Sequence, residues 1–105
     1  MRIALLALAA GLALAGEAAA LGNARTKSGV IACSERVDWT RLSRLIEKGD
    51  DVGVRRFMTT RILGQDCRRF YGSRPVFVQI RSVNAICIRP MGEAACLWTA
   101  PESVE

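Results

Sequence analysis

The chain has 105 residues, is 50% hydrophobic, carries four cysteines and no histidine, and has a formal net charge of +5. That length allows one small domain. The missing histidine excludes His-dependent catalysis and His metal sites, and the composition excludes a multi-span membrane protein.

Residues 1–20 (MRIALLALAAGLALAGEAAA) hold 16 apolar residues, and Arg2 and Glu17 cancel in charge, so the basic excess belongs to residues 21–105. A positive start, an apolar run from Ile3 to Ala15 and the small residues Ala18-Ala19-Ala20 read as a secretory signal peptide cut before Leu21, with a cut after Ala24 as the alternative. The apolar run falls short of the ~20 residues that span a bilayer, so no transmembrane anchor is expected after cleavage. Val30-Ile31-Ala32-Cys33 loosely resembles a lipidation box, but such a box should follow the apolar run directly, and here Arg25 and Lys27 intervene. The expected location is periplasmic or secreted. Export and an even cysteine count predict two disulfides.

Residues 21–36 show no convincing period and are expected to form a flexible N-terminal arm, ahead of a single α+β domain over 37–105. Asp38 is placed as the cap of a helix running to Gly49. Trp39, Leu42, Leu45 and Ile46 form its apolar stripe, and Gly49 supplies the left-handed stop. A second helix starts at Asp50 or Asp51, carries Val54, Phe57, Met58 and Ile62, and ends at Gly64; the short link predicts a helical hairpin. After Gly64 the period changes. Cys67–Tyr71 reads as a short strand and Gly72–Pro75 as a turn; Val76, Val78 and Ile80 alternate with Phe77, Gln79 and Arg81 as a period-two strand. Ala85–Arg89 is a further strand, Pro90–Glu93 a turn and Cys96–Thr99 a last strand. Pro101 opens a helical turn. The expected fold is α+β: an N-terminal helical hairpin followed by a small, antiparallel, barrel-like sheet of three to four strands.

The cysteines stand at 33, 67, 87 and 96 without a C-x-x-C pair. That removes the thioredoxin-like redox motif and the usual paired-ligand zinc arrangement, so neither metal nor cofactor is expected. Sequence allows three connectivities. A two-residue turn at Met91-Gly92 sets Cys87 directly opposite Cys96, which favours Cys87–Cys96 and leaves Cys33–Cys67 to close a loop around the helices.

The segment from Gly72 to Val104 contains a glycine-led strand (G-S-R-P-V-F-V-Q-I), a second strand (A-I-C-I-R-P), a turn, a short strand (C-L-W-T) and a terminal turn (P-E-S). Over this third of the chain it resembles a bacterial Src-homology-3-like small barrel, with Leu97-Trp98 where that family has Gly-Trp before its last strand. The resemblance implies an exported envelope or peptide-binding module. The chain also looks like the many small exported bacterial proteins with no assigned activity.

Residues 21–105 contain twelve arginines and two lysines. Arg41, Arg44 and Lys48 recur at i, i+3 and i+7; Arg55 and Arg56 with Arg68, Arg69 and Arg74 make a second group. Besides a solvated surface, these are candidates for holding an anionic partner, because arginine forks match phosphate and carboxylate. In an exported protein that partner is an envelope component or a protein. Nucleic acid is not expected, since no aromatic residues interleave the basic pairs at stacking spacing. Trp39 and Trp98 are read as core anchors; a ligand-stacking surface of Trp98 with Tyr71 or Phe77 is the alternative. Catalysis without histidine would rest on carboxylates, as in a small envelope hydrolase. The only acidic clusters are Glu35 with Asp38 and Glu47 with Asp50 and Asp51, and helix capping accounts for the aspartates. No catalytic residue is assigned. An envelope stress or assembly factor is a further alternative.

Overall fold

The computed structural model of the protein describes residues 24–105. The signal-peptide reading of residues 1–20 and the first residues of the expected arm lie outside them. In chain order the elements are β1 (Ala24–Arg25), β2 (Ile31–Cys33), α1 (Arg36–Glu47), α2 (Asp51–Leu63), β3 (Cys67–Arg69), β4 (Pro75–Arg81), β5 (Ile86–Pro90), β6 (Leu97–Thr99) and a 3-10 turn (Pro101–Ser103). The fold is α+β. One antiparallel sheet has the order β1-β4-β5-β6-β2-β3.

The sheet has six strands instead of three or four, and two of them precede the helices. Residues 24–33, expected as an arm, supply β1 and β2. β1 pairs with β4 on one side. On the other it meets the C-terminal residues: Arg25 and Glu105 exchange both backbone hydrogen bonds at 3.0 and 2.9 Å, and Thr26 bridges to Val104. Strands this short carry no readable period. Their order comes from partners far along the chain.

The cap of α1 lies three residues earlier than expected. Glu35 occupies the cap position without a side-chain cap bond. Asp38 therefore lies in the first turn, where a carboxylate suits the positive end of the helix dipole. It is buried, 3.5 Å from the Arg61 guanidinium of α2. The far end agrees with expectation: Gly49 takes φ +69, its N–H donates to Ile46 O at 3.0 Å, and Asp50 N–H donates to Leu45 O at 3.1 Å. These two bonds close the last turn. Asp50 caps α2 by accepting from Gly53 N–H at 2.9 Å. α2 closes with the same bond pair, Gln65 N–H to Ile62 O and Asp66 N–H to Arg61 O. Here Gln65, not Gly64, holds the left-handed position at φ +62.

The sheet buries apolar residues on both faces. On one, Ala32, Phe70, Val76, Ile86, Ile88 and Leu97 form a core joined by Ala24, Val30, Val78 and Val104. On the other, Trp39, Leu42 and Met58 of the helices pack against Cys33, Cys67 and Ala85, with Ile31 and Trp98 alongside. Alternation sorts the strands cleanly in β5 and β6, where Ile86, Ile88 and Leu97 face one core and Trp98 the other. In β4 it breaks: the register shifts between Val78 and Ile80, leaving Ile80 opposite Cys87 and half exposed. The extra residue is a β-bulge, so Ile80 does not share the inward face of Val76 and Val78.

The disulfides are Cys33–Cys67, with Cα atoms 4.0 Å apart, and Cys87–Cys96, with Cα atoms 5.4 Å apart. Cys33 and Cys67 are register partners of β2 and β3, and Trp98 lies opposite both Cys33 and Cys87. One cross-sheet row thus runs Cys67, Cys33, Trp98, Cys87. The pairing preferred from turn geometry is present, but on a different register. Cys87 faces Trp98, and Cys96 sits just before β6. The turn Pro90–Glu93 does form, with Glu93 N–H donating to Pro90 O at 3.0 Å and Gly92 at φ +86. The chain then runs through Ala94–Cys96 before pairing resumes. Cys33 lies fully buried in its disulfide, which leaves no thiol for a lipid there.

Two buried threonines join the chain's early strands to its later half. Thr26 Oγ1 accepts from Arg74 N–H at 3.0 Å, and Thr99 Oγ1 donates to Ile31 O at 2.8 Å. Among the described residues no buried side-chain polar atom lacks a hydrogen-bond partner, as a well-ordered interior requires.

Candidate functional site

The basic residues divide into those engaged within the fold and those facing outward. Arg68, entering from β3, donates to Glu93 Oε1 at 2.7 Å, and Arg74 donates to Glu93 Oε2 at 2.7 Å. Both guanidiniums also lie over the Phe70 ring, at 4.8 and 5.8 Å. Arg89 donates to Glu93 O at 3.0 Å. The Arg68 hydrogen bond holds the Glu93 carboxyl below the ordinary glutamate value of 4.5, against a smaller opposing effect of burial, with the charges of Arg68 and Arg74 adding to the lowering. Two arginines on two oxygens make a charge-assisted clamp. The turn Pro90–Glu93 itself presents Glu93 to the arginines.

Arg68 and Arg74, expected as partner-binding residues, are therefore matched internally. Arg69 is exposed, with Nη1 3.3 Å from Gly29 O. Arg55 and Arg56 are exposed on α2. The second basic group is therefore split, with Arg68 and Arg74 turned to Glu93 and Arg55, Arg56 and Arg69 left outward.

Of the first group, Arg41 and Arg44 come together, joined by Arg36. Arg41 and Arg44 are exposed on α1 and Lys48 is exposed just past its end. Arg36, Val37, Thr40, Arg41 and Arg44 line a hollow of about 420 Å³ with three guanidiniums and no carboxylate. Arg36, Thr40 and Arg44 follow at i, i+4 and i+8 and so share a helix face. The same three residues border a second cleft of about 490 Å³ between α1, the β4–β5 turn and the 3-10 turn. That cleft adds Ser43, Asn84 and two carboxylates, Glu47 and Glu102, to its lining. Arg36 is steered by Ser82 Oγ, 2.9 Å from Nη2, and by the Trp98 ring, 4.9 Å away. Sequence reading missed Arg36, because a helix starting at Asp38 excludes it. Lys48 lies beyond both hollows.

The aromatic alternative is not assembled. Trp98 carries Arg36 over its ring, and Phe77 carries Arg89 at 4.6 Å. Tyr71 is exposed and borders a groove with Ile62, Gln65 and Arg69. Trp39 is a buried helix–sheet anchor. Among the carboxylates weighed for catalysis, Glu35 precedes α1, Asp38 faces Arg61, Asp50 caps α2, Asp51 opens it, and Glu47 lies in the mixed-charge cleft.

Among the described residues, no group of three or more His, Cys, Asp or Glu is placed to hold a metal ion, and no helix is long and apolar enough to cross a membrane. No protein-family model, curated protein or solved structure matches the chain.

Proposed function

We propose that this is an exported, disulfide-stabilised interaction module that binds an anionic envelope component or an acidic protein through the outer face of α1, without chemistry of its own. The observation that carries the reading is the carboxylate-free hollow of Arg36, Arg41 and Arg44 around Thr40. Guanidinium forks suit phosphate and carboxylate oxygens, and three of them meet here on one helix face; the Thr40 hydroxyl is turned back onto Arg36 O at 3.0 Å. The contrast with Arg68 and Arg74 supports it: where arginines serve the fold, Glu93 meets them at 2.7 Å.

Two disulfides within 82 described residues suit an oxidising compartment, in keeping with the signal peptide read from residues 1–20. The likeness to a Src-homology-3-like barrel draws support from the β4-β5-β6 meander, the 3-10 turn that follows, and the return of Val104 to Thr26. On this reading β2, both helices and β3 form an insertion between the first barrel strand and the meander.

The test is retention of envelope extract components on immobilised protein at low salt. Arg41→Ala with Arg44→Ala should abolish retention, and raised salt should weaken it in the wild type. Retention unchanged by the double substitution would refute the α1 site. Turnover of an envelope substrate that is lost on Glu35→Gln or Asp51→Asn would replace the binding reading with the hydrolase one.

A further inference from the structure

A second surface has a different composition from the α1 hollow. α2 buries Met58 but leaves Ile62 half exposed, and Leu63 exposes 79% of its surface. Tyr71, beyond β3, exposes 85%. Two grooves meet at Ile62. One, of about 420 Å³, is lined by Arg55, Met58, Thr59, Ile62 and Leu63; the other, of about 450 Å³, continues past Gln65 and Cys67 to Arg69 and Tyr71. Neither lining contains a carboxylate. Arg68 on this lining is held by Glu93, so the outward charge comes from Arg55 and Arg69. β3 itself is the terminal strand of the sheet.

We infer that this face docks the protein on an anionic phospholipid surface, with Leu63, Ile62 and Tyr71 entering the headgroup–acyl boundary and Arg55 and Arg69 meeting the headgroup phosphates. Monomeric proteins leave such contiguous apolar patches mainly at interaction sites. Tyrosine with arginine around an aliphatic tip is the side-chain mixture that suits a membrane–water interface. Charge complementarity chooses the occupant. A second copy of this face would set Arg55 and Arg69 against their own kind. A neutral apolar partner would leave them unmatched, whereas an anionic leaflet matches both. Leu63 at the end of α2 and Tyr71 beyond β3 expose most of their surface, which suits insertion into a fluid layer. This rests on the reading of the protein as a binder of anionic envelope components, but assigns it a second face and a lipid partner.

The test is co-sedimentation of the oxidised protein with vesicles of phosphatidylcholine containing phosphatidylglycerol, and with vesicles of phosphatidylcholine alone. Binding is expected only to the former and should fall as salt rises. Each arginine near an anionic leaflet contributes about fivefold in partition, so Arg55→Ala with Arg69→Ala should lower binding about thirtyfold. Leu63→Asp with Tyr71→Asp should abolish it while leaving the thermal transition in place, since both side chains are exposed. Arg41→Ala with Arg44→Ala should retain vesicle binding. Three results overturn the inference: no binding to the anionic vesicles, binding that survives Leu63→Asp with Tyr71→Asp, or binding lost through Arg41 and Arg44 instead. The last would leave the α1 proposal standing. Capture of an acidic amphipathic peptide at Leu63 and Tyr71 without vesicle binding would assign the face to a protein and also overturn the lipid reading.

Discussion

Removing the two disulfides one at a time should cost different amounts. Cys33–Cys67 spans 34 residues and encloses both helices, whereas Cys87–Cys96 spans nine and straddles one strand connection. The chain-entropy relation gives about 3.8 kcal/mol for the first loop and about 2.6 kcal/mol for the second. Packing works in the same direction. Cys33 and Cys67 both belong to the core between helices and sheet, while of the second pair Cys87 is buried and Cys96 half-buried. Cys33→Ala with Cys67→Ala should therefore be the more destabilising replacement, by about 1 kcal/mol or more over Cys87→Ala with Cys96→Ala. Urea unfolding of the oxidised wild type and the two variants measures this directly. The long-loop variant should also have the larger dependence on denaturant, because its denatured state is freer to expand. Amide exchange should rise first in α1 and α2, which the Cys33–Cys67 bond ties to β2 and β3. Equal costs, or a larger cost for the short loop, would refute the reasoning.

Leu42 is fully buried between α1 and the sheet, so Leu42→Ala should cost about 2–5 kcal/mol in the same unfolding experiment. Gln65→Gly should stabilise the protein by about 0.5–1 kcal/mol, because relief of a non-glycine left-handed residue exceeds the added freedom of the unfolded chain; a fall in the unfolding midpoint would contradict this. The Glu93 carboxyl is held below 4.5 when folded, so it contributes stability above that value, and the contribution is lost as pH falls through the lower folded value. Glu93→Gln should lower the unfolding midpoint at neutral pH and flatten its decline below pH 4.5, as seen in thermal scans across the acid range.

The legible parts of the fold are those set by neighbours in sequence. Gly49 and Asp50 mark a stop and a start within a few residues, and both act as read. The 3-10 turn at Pro101 follows an equally local rule. The parts that were not legible depend on distance. Ile31 pairs with Arg69 and Thr26 with Val104, so two- and three-residue strands took their place from partners that no local pattern names. Ile80 fitted the period of β4, but the bulge moved it to the other face. Asp38 fitted a cap, but α1 started earlier and gave it Arg61. That same shift hid Arg36 from the basic stripe. The Glu93 clamp did leave a trace: Glu93 is the one acidic residue between Asp66 and Glu102, a stretch with five arginines. A lone carboxylate among so many guanidiniums is a candidate internal counter-ion, and that would have separated Arg68 and Arg74 from the outward-facing cations.

The division of the arginines into structural and partner-facing sets is the claim on which the functional account depends. The most direct measurement is retention of envelope components at low salt by three proteins with unfolding transitions measured in parallel: the wild type, Arg41→Ala with Arg44→Ala, and Glu93→Gln. The account predicts that the α1 double variant loses retention with little change in stability, and that Glu93→Gln loses stability while keeping retention. Retention that follows Glu93 and ignores Arg41 and Arg44 would contradict it.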